Sequence, residues 1–204
     1  GIAKDKNIVI QEVDKSKLDS ITKGIAHQGV VALVTSYEYA SIEDILELAK
    51  KRNEDPFIVI LDGIEDPHNL GAIIRTAECA GVHGIVIPKR RSAQVNETVY
   101  KSSAGAVEHI LVAKVNNINQ VIDELKEKGL WIYGADMNGD LYFNISLKGA
   151  VALVIGSEGK GISRLTKEKC DSLVTIPMVG KISSLNASNA AAILMYEVVR
   201  QNHG

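Results

Sequence analysis

The chain is poor in several kinds of residue, and each scarcity narrows what it can be. Only two of its 204 residues are cysteines, Cys79 and Cys170, so neither a disulfide framework nor a cysteine-based zinc site has support. Aromatic residues make up 4%, too few for recognition led by ring stacking. The formal net charge is −2, so no overall positive charge favours nucleic acid. Without a signal peptide or an apolar run near the roughly 18 residues that span a bilayer, the sequence predicts a cytoplasmic protein without membrane association.

The residues that are present predict a globular α/β protein. Hydrophobic residues make up 46% and charged residues 24%, which is ordinary for a chain with a sizeable core. From about residue 55 onward, apolar runs of strand length alternate with amphipathic helical stretches, as in a mostly parallel sheet flanked by helices. Strands are predicted at 57–61, 84–87, 109–112, 130–133, 151–155 and 173–176. Helices are predicted around 70–77, 118–125 and 191–198, where apolar residues recur at helical spacing.

The first 54 residues carry a weaker pattern. Strands are predicted at 7–10 and 29–34, with a short polar helix or loop over 16–21 between them. A capping box from Ser41 to Asp44 begins a further helix. Because so short a stretch holds little core of its own, residues 1–36 are interpreted as the remnant of an N-terminal domain. Residues 37–54 are interpreted as a linker, and 55–204 as the main domain.

Three polar clusters follow predicted strands at their carboxyl ends, where ligands bind in open α/β sheets. The first extends from Asp62 to Thr76. Within it, Asn69 lies near the start of a helix, and Arg75 lies about 140° from the apolar stripe, free to face a site. A capped helix with a solvated arginine is the alternative interpretation of this cluster.

The second and third clusters add glycine, glutamate, serine and asparagine. The second, 156–161, has three glycines that let the backbone approach a ligand closely, together with Glu158. It fits neither a Walker A loop nor a dinucleotide fingerprint, because Val154 and Arg164 stand where each motif needs glycine. The third, 176–189, is rich in serine and asparagine ahead of a helix, which helix capping alone could explain. Three such clusters after three strands nevertheless exceed what capping requires, and favour a site.

Together the clusters resemble the three signature motifs of the SpoU, or TrmH-type, branch of the SPOUT RNA methyltransferases. The matching residues are Asp66-Pro67-x-Asn69-x-Gly71-x-x-x-Arg75-Thr76, then Gly156-Ser157-Glu158-Gly159-x-Gly161, then Ile176-Pro177-Met178-x-Gly180-x-x-x-Ser184-Leu185-Asn186-x-Ser188. The resemblance covers residues from about 55 to 203. It is greatest to RlmB-like members, ribose methyltransferases of large-subunit ribosomal RNA, because segments 27–29, 81–84 and 88–93 also fit.

The resemblance implies a fold, a cofactor and partners. The mostly parallel sheet would carry a C-terminal deep trefoil knot, and the chain would form a homodimer. S-adenosylmethionine would bind in the knot, while the N-terminal domain would bind RNA. No metal is implied, and the five histidines show no metal-ligand spacing. The implied cofactor-binding residues are Gly156, Ile176, Met178, Gly180 and Leu185.

The implied reaction is methyl transfer to a ribose 2′-hydroxyl of RNA, in a guanosine of ribosomal RNA. Family accounts give Arg75 the activating role, but a guanidinium rarely loses its proton, so stabilising the developing alkoxide is a simpler role. Asn69, Ser184 and Asn186 would orient the ribose and the arginine, and Glu158 would pair with Arg75 or Asn69. The RNA-binding candidates are Lys89, Arg90 and Arg91.

Three other functions stay open at this point. The chain could modify transfer RNA by the same chemistry, or bind RNA on the same fold without catalysis. A nucleotide-dependent enzyme on an ordinary doubly wound sheet is the third, although the failed glycine motifs disfavour it.

Overall fold

The computed structural model describes residues 10–24, 26–32 and 37–203, and the chain divides into two units, Gly1–Ser36 and Tyr37–Gly204. In the first unit, the polar helix expected over 16–21 is present as α1, Lys15–Thr22. The strand expected at 29–34 is wrong for residues 29–32, because Gln28 and Gly29 have φ of 50° and 86° and form a turn. Ile10 is not in a strand either, and 7–9 and 33–34 lie outside the described residues.

The second unit contains a six-stranded parallel sheet flanked by helices, which confirms the predicted fold class. The strands are β1 Phe57–Asp62, β2 Gly84–Pro88, β3 Leu111–Val115, β4 Trp131–Leu141, β5 Val151–Gly156 and β6 Ser172–Thr175. The helices are α2 Ile42–Arg52, α3 Pro67–Cys79, α4 Glu97–Ser102, α5 Ile118–Glu127, α6 Arg164–Lys169 and α7 Ala187–His203. The strand order is β3-β2-β1-β5-β4-β6.

Alternate side chains of the central strands enter two separate apolar layers. Along β1, Val59 and Leu61 pack in the layer that holds the buried faces of α3 and α7, whereas Ile58 and Ile60 pack in the layer that holds α2 and α5. This follows from the two-residue period of a strand, because successive side chains point to opposite faces. A strand covered on both sides must be apolar throughout, which explains the unbroken hydrophobic runs of the sequence.

Residues 37–54 are not a linker. Helix α2 lies within this stretch, and its Ile45 is fully buried. Gly84 of β2 leaves the space that Ile45 fills, since a Cβ built there would lie 2.4 Å from the Ile45 Cδ1 atom. The Ala40 amide also donates to the Val112 carbonyl at 2.9 Å. The apolar stripe of α2 therefore finds its partner in the sheet, and the segment is an integral part of the second unit.

Strand β4 extends eight residues beyond its predicted end at 133. Its pairing with β6 shifts between Ala135 and Asp140, both of which lie opposite Val174, so 136–139 bulge out of the ladder. Gly139 lies so close to Leu173 that a Cβ would come within 2.4 Å of its carbonyl carbon. The polar residues of the bulge interrupt the apolar pattern, which is why the sequence predicted an earlier end. The trefoil knot stays a prediction.

Within the described residues, no helix has both the length and the apolar character needed to cross a membrane.

Candidate active site

A cavity of about 960 Å³ lies at the carboxyl ends of β4, β5 and β6. The residues that follow β5 and β6 line it, together with the β4 bulge and part of α7. All five residues predicted to bind the cofactor line this cavity, namely Gly156, Ile176, Met178, Gly180 and Leu185. Glu158 and Ser184 line it as well. The second and third polar clusters of the sequence therefore border one space.

The glycine-rich loop after β5 folds back on itself. The Gly161 amide donates to the Ser157 carbonyl at 2.8 Å, closing a tight turn. A Cβ on Gly156 would lie 2.1 Å from the Gly161 carbonyl carbon, so no other residue fits there without moving the backbone. Asp62, at the end of β1, accepts a 2.8 Å hydrogen bond from the Ser163 amide just beyond the loop. The loop is thus anchored on both sides, with its backbone facing the cavity.

Three predicted catalytic residues from three distant segments form one hydrogen-bonded cluster. The Asn69 side chain, on the first turns of α3, donates to Glu158 Oε1 at 2.9 Å. Asn186 Nδ2 donates to the same oxygen at 2.5 Å and to Asn69 Oδ1 at 2.9 Å. The Ala187 amide adds a weaker contact of 3.3 Å to Glu158 Oε1. The structure therefore brings together one residue from each polar cluster.

Asn186 is also the residue that caps α7. Its Oδ1 accepts hydrogen bonds from the amides of Ser188 at 2.9 Å and Asn189 at 3.4 Å, and from the Ser188 hydroxyl at 2.6 Å. This is the arrangement of an N-cap asparagine, whose side-chain oxygen satisfies free amides of the first turn. One amide side chain thus joins the start of α7 to the cluster around Glu158.

Arg75 is on α3 but not in the cluster. It is exposed and makes no side-chain hydrogen bond or ion pair within the described ranges. It follows Asn69 by six residues, which places it about 120° away around the helix axis and about 9 Å further along. Of the two partners expected for Glu158, the structure pairs it with Asn69. Asp66, rather than Asn69, caps α3, by accepting from the His68 amide at 2.9 Å.

An ion pair that the sequence motifs did not indicate forms another wall of the cavity. Lys167 of α6 lies 2.5 Å from Asp136 in the β4 bulge. Burial favours a higher pKa for Asp136, but its bonds to Lys167 and to the Asn138 amide together hold the pKa below the usual value. The available signal was Asp136 and Asn138 ahead of Gly139, shortly after the predicted strand at 130–133.

The predicted RNA-binding residues Lys89, Arg90 and Arg91 follow the end of β2 and are exposed. Their side chains form no hydrogen bond or ion pair with the residues that the structure describes. Strands β2 and β5 are both neighbours of β1. The carboxyl ends of β2 and β5 are therefore about 10 Å apart, so the basic segment and the glycine loop share one edge of the sheet.

Among residues 10–24, 26–32 and 37–203, no group of three histidine, cysteine, aspartate or glutamate side chains is placed to hold a metal ion.

Sequence comparisons match both parts of the chain to RNA methyltransferases. Residues 56–196 match the SpoU rRNA Methylase family, and residues 1–40 match a family described as RNA 2′-O ribose methyltransferase substrate binding. YacO of Bacillus subtilis, named as a TrmH family tRNA/rRNA methyltransferase, is 53% identical over 203 residues, which cover 99% of this chain and 81% of YacO. A protein of the same description from Staphylococcus aureus is 50% identical over 202 residues. The match covers 98% of this chain and 81% of that protein.

Solved structures give the same result. The SpoU methyltransferase AviRb of Streptomyces viridochromogenes, solved with AdoMet, has a TM-score of 0.68 and 34% identity, covering 72% of this chain and 61% of AviRb. The TrmH/SpoU tRNA modifying enzyme of A. aeolicus has a TM-score of 0.66 and 28% identity. The match covers 78% of this chain and 82% of that enzyme. An AdoMet-bound rRNA methyltransferase from Sinorhizobium meliloti shares the fold, with a TM-score of 0.77 and 24% identity. The match covers 95% of this chain and 72% of that protein. Since the family match covers most of the chain and the relatives are half identical, the chain belongs to the SpoU/TrmH family of RNA methyltransferases.

Proposed function

We propose that the chain transfers a methyl group from S-adenosylmethionine to a ribose 2′-hydroxyl of RNA. The observation that carries the proposal is the cluster of Asn69, Glu158 and Asn186 beside the large cavity. It joins three motifs in one place, at the edge of the sheet where α/β proteins bind ligands. AviRb, which shares the family, was solved with AdoMet.

The cavity fits this cofactor in size and chemistry. Its volume of about 960 Å³ lies at the upper end of the range of ligand sites. Ile176 and Leu185 give it apolar walls, and the backbone around Gly156 supplies polar groups at close approach. When bound, S-adenosylmethionine supplies a methyl group activated by a sulfonium. These residues would hold and bend the cofactor so that the methyl group faces the RNA.

In this proposal the polar residues position the ribose and stabilise charge. Asn69, Asn186 and Ser184 orient the sugar, with the two asparagines already held by Glu158. Arg75 stabilises the negative charge that develops on the 2′-oxygen, because a guanidinium with a pKa above roughly 12 is a poor base but a good charge-assisted donor. We also propose a homodimer, in which the exposed Arg75 faces a site near the subunit interface.

The RNA substrate we propose is large-subunit ribosomal RNA, modified at a guanosine in the cytoplasm, as in RlmB-like enzymes. The match of residues 1–40 to a substrate-binding family supports an RNA-contacting role for the N-terminal unit, which we interpret as part of an RNA-binding domain. Lys89, Arg90 and Arg91 add a basic surface on the edge that holds the cavity. Transfer RNA is the second candidate, because the relatives are named for both RNAs.

The test is transfer of a labelled methyl group from S-adenosylmethionine to total RNA, followed by mapping of the methylated ribose. We expect one guanosine of large-subunit ribosomal RNA to be labelled, whereas a transfer-RNA site would favour the second candidate. Arg75→Ala should lower transfer by about 10²-fold or more, the scale of losing one preorganised donor, while cofactor binding in equilibrium dialysis stays unchanged. Normal transfer by this variant would contradict the role of Arg75.

A further inference from the structure

The two carboxylate oxygens of Glu158 have different surroundings. Oε1 accepts hydrogen bonds from Asn69, Asn186 and the Ala187 amide. Oε2 accepts none from any donor in the described part of the chain. Glu158 is exposed and lines the cavity, so this second oxygen is open to a ligand. One carboxylate oxygen is therefore occupied by hydrogen-bond donors, and the other is available to a ligand.

The direction of every hydrogen bond in the cluster is fixed by the backbone of α7. The amides of Ser188 and Asn189 can only donate, so the atom of Asn186 that they contact must be its oxygen. Asn186 Nδ2 must therefore donate, which makes its contact atom on Asn69 an oxygen as well. The remaining nitrogen of Asn69 then donates to Glu158.

This fixed direction decides where Glu158 can carry a proton. Oε1 faces only donors, so a proton on that oxygen would displace one of them. Oε2 has no such restriction, and a protonated carboxyl needs only one of its oxygens as donor. The cluster thus keeps Oε1 as an acceptor and leaves Oε2 as the position for an incoming proton.

We propose that Glu158 Oε2 accepts the proton of the ribose 2′-hydroxyl during methyl transfer; the proposal rests on the function proposed above. A bond forms between the 2′-oxygen and the methyl carbon as the carbon–sulfur bond breaks. The electron pair of that bond stays on sulfur, leaving a neutral thioether. The hydroxyl proton moves to Oε2 and later to water. A carboxylate suits this task better than a guanidinium, because it has free lone pairs, and Arg75 keeps the electrostatic role.

Glu158→Gln separates proton transfer from the structural role of the residue. The glutamine amide oxygen can take the place of Oε1 and accept the same three donors, whereas its NH₂ group in place of Oε2 cannot accept a proton. We expect the variant to fold and to bind S-adenosylmethionine in equilibrium dialysis, but to transfer the methyl group about 10²- to 10⁴-fold more slowly in single turnovers. Glu43→Gln, the same change at an exposed residue of α2, outside the three polar clusters, is the matched control and should keep the wild-type rate.

The pH profile gives a second measurement that does not depend on the glutamine variant. With wild-type protein, the single-turnover rate should fall on the acid side as one carboxylate becomes protonated, and Glu158→Asp should shift that fall. A wild-type rate for Glu158→Gln, or a rate of the wild-type protein that does not fall on the acid side, would overturn the proposal. Absence of transfer by the wild-type protein to any RNA would instead contradict the proposed function itself.

Discussion

Asn186 shows how one side chain can serve stability and chemistry together. Its oxygen caps α7, and its nitrogen holds Asn69 and Glu158 in place. Because capping needs only an acceptor whereas the cluster needs a donor, the two roles can be separated by substitution. The residue is therefore the most informative position in the third polar cluster.

We expect Asn186→Ser and Asn186→Ala to differ in stability but not in activity. Serine is a good N-cap and should keep the unfolding midpoint near that of the wild type, whereas alanine should cost about 1 kcal/mol. Both variants lack the amide donor, so both should lose most methyl transfer. Thermal unfolding and the labelled-methyl assay measure the two effects. Full activity of Asn186→Ser would show that the donor is dispensable.

At the residue scale, the sequence predicted three residues that meet, whereas Arg75, expected beside them, lies outside their cluster. The strand ends placed Asn69, Glu158 and Asn186 at one edge because parallel strands share a direction. The sequence left open whether Glu158 pairs with Arg75 or with Asn69, because the partner depends on the orientation of α3 on the sheet. Asp136 and Lys167 lie outside the motifs and were missed.

Among the structural elements, the glycine loop after β5 leaves no room for a side chain at its first residue. Gly156 and Gly180 both line the cavity, but their surroundings differ. A Cβ at Gly156 would meet the backbone of Gly161 and Ile162 within 2.2 Å, whereas a Cβ at Gly180 would meet no atom within 4 Å. The two glycines form a matched pair for one test.

Gly156→Ala should greatly weaken the binding of S-adenosylmethionine, because backbone must shift to make room for the methyl group. Gly180→Ala should weaken binding less, since its new methyl group meets no atom within 4 Å and the backbone can stay in place. Isothermal titration calorimetry with both variants, after circular dichroism has checked their folding, makes the comparison. Equal affinities for the two variants would contradict this account of the loop.

Elements with a continuous apolar pattern were predictable, and those interrupted by polar residues were not. Helices α3 and α5 bury the residues that their spacing indicated. Strand β4 was cut short in the prediction because a bulge breaks its pattern. The capping box of α2 was recognised, but the sequence alone does not show that the sheet has an open face for Ile45.

For the whole molecule, we expect RNA binding to depend more on where the charges lie than on the net charge. The formal charge of −2 would repel RNA if it were evenly spread, yet Lys89, Arg90 and Arg91 are exposed at one edge of the sheet. Phosphate contacts at such a patch release counterions, which gives RNA binding a dependence on salt.

Arg90→Glu together with Arg91→Glu should weaken RNA binding and flatten its salt dependence. The control is Lys50→Glu together with Lys51→Glu at the exposed end of α2, which lowers the formal net charge of the chain by the same amount, from −2 to −6. Because α2 lies away from the proposed RNA surface, the control should keep the wild-type slope of log affinity against log salt. Equal slopes for the arginine variant and the wild type would place the RNA on another surface.

The pairing of β1 with β5 has a consequence for folding during synthesis of the protein. Phe57 lies opposite Val151, so the middle of the sheet joins residues almost a hundred positions apart. Such distant pairings form slowly, because a long loop must close before any contact compensates for the lost entropy. An emerging polypeptide cannot join β1 to β4 through β5 until β5 has left the ribosome, and β6 and the capped start of α7 come later still. Early release of the nascent chain would therefore yield a fragment with exposed strand edges and no catalytic pocket.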